Sequence, residues 1–303
     1  MKKNLLFSIL AVCLVSMMSF SCAVMNAVGE IVAVVGEETD DPLLASLGKA
    51  TSSVATASSP ITAEQEYYIG RSVAASILSQ YTILENDSLT KYVNNVCQVL
   101  VINSDYEQLY KGYSVVILDT NQINAFATSG GHIFVTRGLL SCVQSEDSLA
   151  SVIAHEIAHI QFKHGIKAIK SDRWTKAAIT STGVALTAFS DGEKDEIIGS
   201  FAEGVDTIVS TMVNTGYSKS QEYEADLMAL KIMNSAGYNP YSMTEMLLRL
   251  QEKQSKSSGG FATTHPSAKN RLDRVYKELE NYTENSIPKA RQNRFNQSIK
   301  KMG

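Results

Sequence analysis

Residues 145–163 read SEDSLASVIAHEIAHIQFK. Leu149, Val152, Ile153, Ile157 and Ile160 recur at helical spacing, which predicts a helix with one buried apolar stripe. His155 and His159 are four residues apart and so share a face, where two imidazoles can reach one metal ion. They are expected to look into a cleft. Glu156 projects beside them, placed to take a proton from metal-activated water. The pattern HExxH arises by chance in many proteins, so a third ligand decides whether it carries chemistry.

A catalytic zinc takes three protein ligands and leaves a position for water. His164 follows His159 by five residues, about 140° around a helix, and is expected to point away from the metal. The extended pattern HExxHxxGxxH fails, because Phe162 and Gly165 stand where its glycine and third histidine belong. A carboxylate from a second helix is the other candidate. Residues 220–236 predict a helix stopped by Gly237 and Pro240, and it contains Glu222-Tyr223-Glu224-Ala225-Asp226. Glu222 and Asp226 share a face, so Glu222 is expected to bind metal while Asp226 accepts the outer N–H of a ligating imidazole. Glu224 lies about 200° around from Glu222. The rest of this helix is apolar (Leu227, Met228, Leu230, Ile232, Met233), which argues against a merely solvated acidic face.

The chain has 303 residues, 44% hydrophobic and 19% charged, a globular composition with enough length to bury a core without disulfide staples. The net charge of -4 gives the chain as a whole no basic footprint, so nucleic acid is not expected as a partner. Four cysteines exclude a disulfide-dense scaffold, and whether Cys97 and Cys142 pair stays open. Beyond the two helices above, helical spacing runs from Thr62 to Gln80 and from Ser88 to Ile102. Further helices are expected over 167–214, 241–253 and 267–279, and extended segments at 113–118 and within 121–136. The expected fold is α+β and mainly helical, with a small sheet beside the HExxH helix.

Three separated motifs then resemble one family. HEIAH, the downstream EYEAD, and Asn124-Ala125-Phe126-Ala127 followed by Gly130-Gly131-His132-Ile133-Phe134-Val135 are similar to the HtpX/BepA/LoiP group of zinc metallopeptidases. That family of gluzincins also includes the type I CAAX prenyl proteases. The resemblance covers roughly residues 62–279 and implies a zincin-like zinc metalloendopeptidase. It matches His155, His159 and Glu222 to the ligands of one Zn2+ and Glu156 to the catalytic base. Thr264-His265-Pro266 followed by Arg271 matches a late family motif whose histidine lies near the metal. Such a histidine either supports the oxyanion or swings in as a fourth ligand that excludes water. The family usually has arginine before EYEAD; here Lys219 stands there, without the planar fork. Unlike the HtpX type, the chain carries no internal apolar run long enough to span a membrane. In zincin-like folds an edge strand beside the metal receives substrate by strand addition. That role is expected of Asn124, His132, Ile133 and Phe134, with unfolded or misassembled proteins as substrates. His132 itself is expected on the strand surface. An envelope chaperone or assembly factor that retains the fold is the alternative function.

The N-terminus supplies the expected location. Lys2 and Lys3 precede an apolar run from Leu5 to Phe20, the pattern of a secretory signal over residues 1–21. Ser19-Phe20-Ser21-Cys22 resembles a bacterial lipobox, with Ser19 where an aliphatic residue is usual, so Cys22 is the expected lipidation site. Residues 22–60, without a sustained period, suit a tether; 61–281 are the expected peptidase domain, and 282–303 a basic, solvated tail. The expected setting is the bacterial envelope, membrane-anchored by lipid and facing the periplasm, at the outer rather than the inner membrane. Cys22→Ala is then expected to release the protein from membranes or stall its processing; a mutant still membrane-bound with an unchanged N-terminus contradicts the lipid anchor.

Overall fold

The computed structural model describes residues 22–38, 45, 48, 49, 51, 63–104, 109, 111–167, 208–254, 264, 265 and 268–302. The chain divides into two units, Met1–Ile61 with Ile169–Ser200, and Thr62–Ala168 with Phe201–Gly303. In the first unit, Cys22–Glu38 form helix α1. The expected tether therefore begins as a helix; its apolar residues are too continuous to show one preferred face, which hides the period. Ile31, Val34 and Val35 are exposed on it. Among the described residues no helix is long and apolar enough to cross a membrane. Residues 1–21 and most of 167–214 lie outside the described residues.

The second unit is mainly helical with one small sheet. Helices α2 (Ala63–Leu78) and α3 (Asp87–Ile102) precede strand β1 (Ser114–Leu118). Strands β2 (Ala125–Ala127) and β3 (His132–Thr136) form a hairpin, followed by the short α4 (Arg137–Leu140). The hairpin turns at Gly131, whose φ of 87° is open to glycine, and a Cβ there would fall 2.2 Å from Gly112 O. The sheet order is β1-β3-β2. β3 is therefore the central strand, parallel to β1 and antiparallel to β2. This corrects the expectation that His132, Ile133 and Phe134 offer a free edge to substrate: both edges of β3 are taken. Ile133 and Phe134 are buried, and His132 is half-buried beside Ser114 Oγ. The outer strand on the side of the HExxH helix is β2, entered directly from Asn124.

Helix α5 (Glu146–Gln161) carries HExxH and is the axis of this unit. Ser145 caps it by accepting from Ser148 N, and Glu146 and Asp147 sit at the positive end of its dipole. It ends before the expected Gly165, because Lys163 itself adopts a left-handed φ of 55°. Residues 146–160 are all buried, so the helix has no open face. It is packed by β2 and β3, by α3, and by α6 (Lys219–Ser235) and α7 (Ser242–Gln254). Helix α8 (Ala268–Leu279) packs on α6 and α7. Cys97 and Cys142 are both buried free thiols.

The C-terminal residues are not a solvated end. They form helix α9 (Lys289–Ile299), which buries Phe295 in the core. Arg291 Nη1 donates to Asp147 Oδ1 at 2.8 Å, and Arg294 pairs with Glu146, which also accepts from Tyr92 and Tyr238 hydroxyls. The basic excess of the tail neutralises two buried acids at the start of the HExxH helix, and a polar-rich helix with one aromatic anchor reads as surface from sequence alone. Phe295→Ala is expected to destabilise this unit by about 3–5 kcal/mol, the usual range for a buried aromatic, seen as a lower urea midpoint; an unchanged midpoint contradicts the docking.

Candidate metal centre

Two helices and one turn converge on the face of α5 that bears the histidines. α6 enters through a capping box, Ser218 with Gln221, just after a π-helical turn (Thr211–Thr215) and Gly216. That cap fixes where Glu222 and Asp226 meet α5. Thr264 and His265 come from the segment before α8, and Thr264 Oγ1 donates to Asn124 Oδ1 at 3.0 Å. Asn124, expected on the substrate strand, thus ties the His265 turn to the root of β2.

His155, His159, Glu222 and His265 form a buried group able to hold one metal ion. His155 Nε2 lies 3.0 Å from His159 Nε2, 3.3 Å from His265 Nδ1 and 3.5 Å from Glu222 Oε2. Glu222 Oε1 lies 3.4 Å from His159 Nε2 and 3.0 Å from His265 Nδ1. Bonds of roughly 2.0–2.1 Å in a tetrahedron put ligand atoms about 3.3 Å apart. These spacings, with all four ligand atoms within 4.8 Å of one another, and the chemistry of three imidazoles and one carboxylate fit a single dication. Glu156 is fully buried beside the group, and neither of its oxygens has a hydrogen-bond partner among the described residues. Such a carboxylate is costly unless a reacting proton or cation faces it. His265 Nε2 is 3.7 Å from Glu156 Oε1 and 3.3 Å from Ala125 O.

Behind these atoms lies a ring of charge. His155 Nδ1 is 3.0 Å from Asp226 Oδ1. Arg271 grips Asp226 with Nε and Nη2 at 2.7 and 2.6 Å, and its Nη1 lies 3.0 Å from Glu222 Oε2. Burial pushes both carboxyls upward, but the charges of His265 and Arg271 hold Glu222 well below the usual range, and Arg271 leads in lowering Asp226. Burial sets the opposite direction for Glu156, whose carboxyl is raised. Burial likewise drives His159 well below the ordinary imidazole value. Tyr217 stacks on the His159 ring with centroids 4.2 Å apart and closes that side.

The structure brings His155, Glu156, His159, Glu222, Asp226 and His265 together. Sequence reasoning misses Tyr217, whose position follows only from the turn before α6, and it assigns no contact to Arg271. The late motif includes Arg271, but its place in the first turn of an amphipathic helix does not say which carboxylates it meets. His164 is not among the ligand group, and its Nδ1 is 2.8 Å from His159 Nδ1, a contact the helical angle does not predict. Lys219, where the resembled family has arginine, is exposed.

The model of peptidase family M48 matches residues 87–279, which carry all of these residues. The chain belongs to peptidase family M48. A putative beta-barrel assembly-enhancing protease of Vibrio cholerae is 27% identical over 225 residues, 71% of this chain and 44% of that protein. The beta-barrel assembly-enhancing protease of Escherichia coli K12 is 25% identical over 224 residues, 72% and 44% of the two chains. The mitochondrial metalloendopeptidase OMA1 of Schizosaccharomyces pombe is 29% identical over 188 residues, 61% and 52%. The M48 chain spans about half the length of these relatives.

Arg271 is the guanidinium that Asp226 and Glu222 share, so Arg271→Met is expected to cost the metal-free M48 domain about 3–5 kcal/mol, the usual result of leaving buried charge uncompensated. Arg271→Lys should restore little of this, lacking the bidentate fork. Urea unfolding of the three proteins checks both; equal midpoints contradict the ring.

Proposed function

We propose that the protein is a zinc metalloendopeptidase that cleaves unfolded or misassembled proteins at a bacterial envelope membrane. The observation that carries this reading is the close grouping of His155, His159, Glu222 and His265 beside a Glu156 carboxylate without a hydrogen-bond partner among the described residues. His155, His159 and Glu222 are the ligands that hold zinc throughout turnover. Bound there, zinc would polarise a scissile carbonyl and acidify a water. Glu156 takes the proton of the attacking water and passes it to the leaving amine, and its hydrophobic burial favours such a transfer role. Asp226 holds the outer nitrogen of His155, and Arg271 keeps Asp226 ionised.

Of the two roles open to His265, the distances favour the closing ligand. His265 Nδ1 lies within reach of both His155 Nε2 and Glu222, so it would serve as a further ligand in place of water, and Nε2 stands toward Glu156. The resting enzyme is on this reading self-blocked. Release of the Thr264-His265 turn from Asn124 opens the site. The substrate strand is reassigned to the outer edge of β2, next to Ala125 O, which His265 Nε2 now approaches. β2 also packs against the Thr211–Thr215 turn, so an extended peptide enters only when that cover moves. Backbone pairing of this kind tolerates many side chains, which suits damaged proteins as substrates.

Cys22 lipidation and an outer-membrane, periplasm-facing site belong to the same proposal. They rest on residues 1–22 and on the relatives named as beta-barrel assembly-enhancing proteases. A chaperone that merely keeps the fold would have no use for Glu156. Casein hydrolysis separates the two functions: Glu156→Gln is expected to lower turnover by at least about a hundredfold, the usual scale of a general base, with metal retained. Turnover equal to wild type contradicts the peptidase reading. His265→Ala is expected to raise turnover with metal retained, whereas a fall in turnover assigns it to oxyanion support.

A further inference from the structure

His164 and Glu224 are used by none of the steps above, yet they continue the site outward. His159 presents Nε2 to the ligand group, so that atom must keep its lone pair and the ring proton belongs on Nδ1. Among the described residues His164 Nδ1, at 2.8 Å, faces that proton. His164 must then accept through Nδ1 and carry its own proton on Nε2, which lies 3.1 Å from Glu224 Oε2. The order of donors follows from the site outward and from nothing else. His164 is fully buried, while Glu224 is 45% exposed at the end of the chain of contacts.

The backbone is bent to make this contact. On a continuous helix His164 would sit about 140° away from His159. The left-handed Lys163 breaks α5 and returns His164 to the back of the His159 ring. Phe162 stacks on His164 at 5.6 Å and Tyr217 on His159 at 4.2 Å, so both ring planes are held. A left-handed non-glycine residue is strained, and strain persists where the surroundings over-determine it.

We propose that His164 and Glu224 position His159 as a metal ligand, through the relay His159 Nδ1–H to His164 Nδ1 and His164 Nε2–H to Glu224. The two ligand imidazoles are then supported differently, His155 by the Asp226–Arg271 pair and His159 by a neutral imidazole ending on a surface carboxylate. The three acids of one helix segment divide the work: Glu222 faces the ion, Asp226 backs His155, and Glu224 backs His164. The sequence angle that separates Glu224 from Glu222 is what sends it to the other histidine.

This inference rests on the zinc reading, and the test separates them. The full chain is stripped of metal and titrated with zinc against a chelating dye and with Co(II) by visible absorption, with urea stability of the metal-free form recorded. His164→Phe keeps the ring and removes the acceptor; zinc binding is expected to weaken about 10- to 100-fold, the usual cost of losing a ligand's outer partner, with an altered Co(II) spectrum. His164→Asn puts Oδ1 near the place of Nδ1 and should restore binding to within about threefold of wild type. Glu224→Leu, at a half-exposed position and with folding checked by the urea stability of the metal-free form, should weaken zinc by about 3- to 30-fold through loss of the His164 tautomer lock. Wild-type affinity in both His164→Phe and Glu224→Leu overturns the relay, and so does His164→Asn binding as weakly as His164→Phe. A wild-type chain that takes up neither zinc nor Co(II) overturns the metal reading itself, and the relay with it.

Discussion

The salt-bridged cage of Arg271 with Asp226 and Glu222 is the interaction on which the site depends. Each group is almost wholly buried, and neither a carboxylate pair nor an arginine persists there alone. Arg271 cancels one of the two negative charges, and the remaining one is left facing the histidines. That charge is what a dication would cancel. The cage also fixes three elements against one another, because its members come from α6 and α8 and lean on α5 through His155.

The opposite end of the HExxH helix repeats the device with different residues. Glu146 and Asp147 are buried at its N-terminus and are satisfied by Arg294, Arg291, Tyr92 and Tyr238. A helix buried on every side needs both ends anchored, since its polar residues have no solvent to turn to. The C-terminal helix α9 thus belongs to the same unit as the HExxH helix and anchors its start. The turn that bears His265 is tied by Thr264 Oγ1 to Asn124 Oδ1 and by Tyr217 N to Thr264 O, and His265 Nδ1 itself lies 3.0 Å from Glu222 Oε1.

Residue spacing carries most of this arrangement. Two histidines four apart and two acids four apart each define one helix face, so spacing alone places His155 with His159 and Glu222 with Asp226. The small sheet and the helices about it follow from alternation and helical period. Legibility ends where geometry depends on chain reversal. β3 reads as an edge strand because its alternation does not reveal that β1 returns beside it in parallel. His164 reads as irrelevant because a helical angle does not carry through Lys163, where the helix stops. The tail reads as solvated because spacing cannot match its charges to acids some 145 residues away. α1 hides in the opposite way, its nearly continuous apolar run having no polar face to mark a period.

The central claim is that the buried group is a zinc site of three imidazoles and one carboxylate. Zinc-edge X-ray absorption on the purified full chain tests it most directly. One zinc per chain with three histidine rings and one oxygen ligand at about 2.0–2.1 Å is expected. A chain purified with zinc available that holds none, or a spectrum with no imidazole scattering, would contradict it.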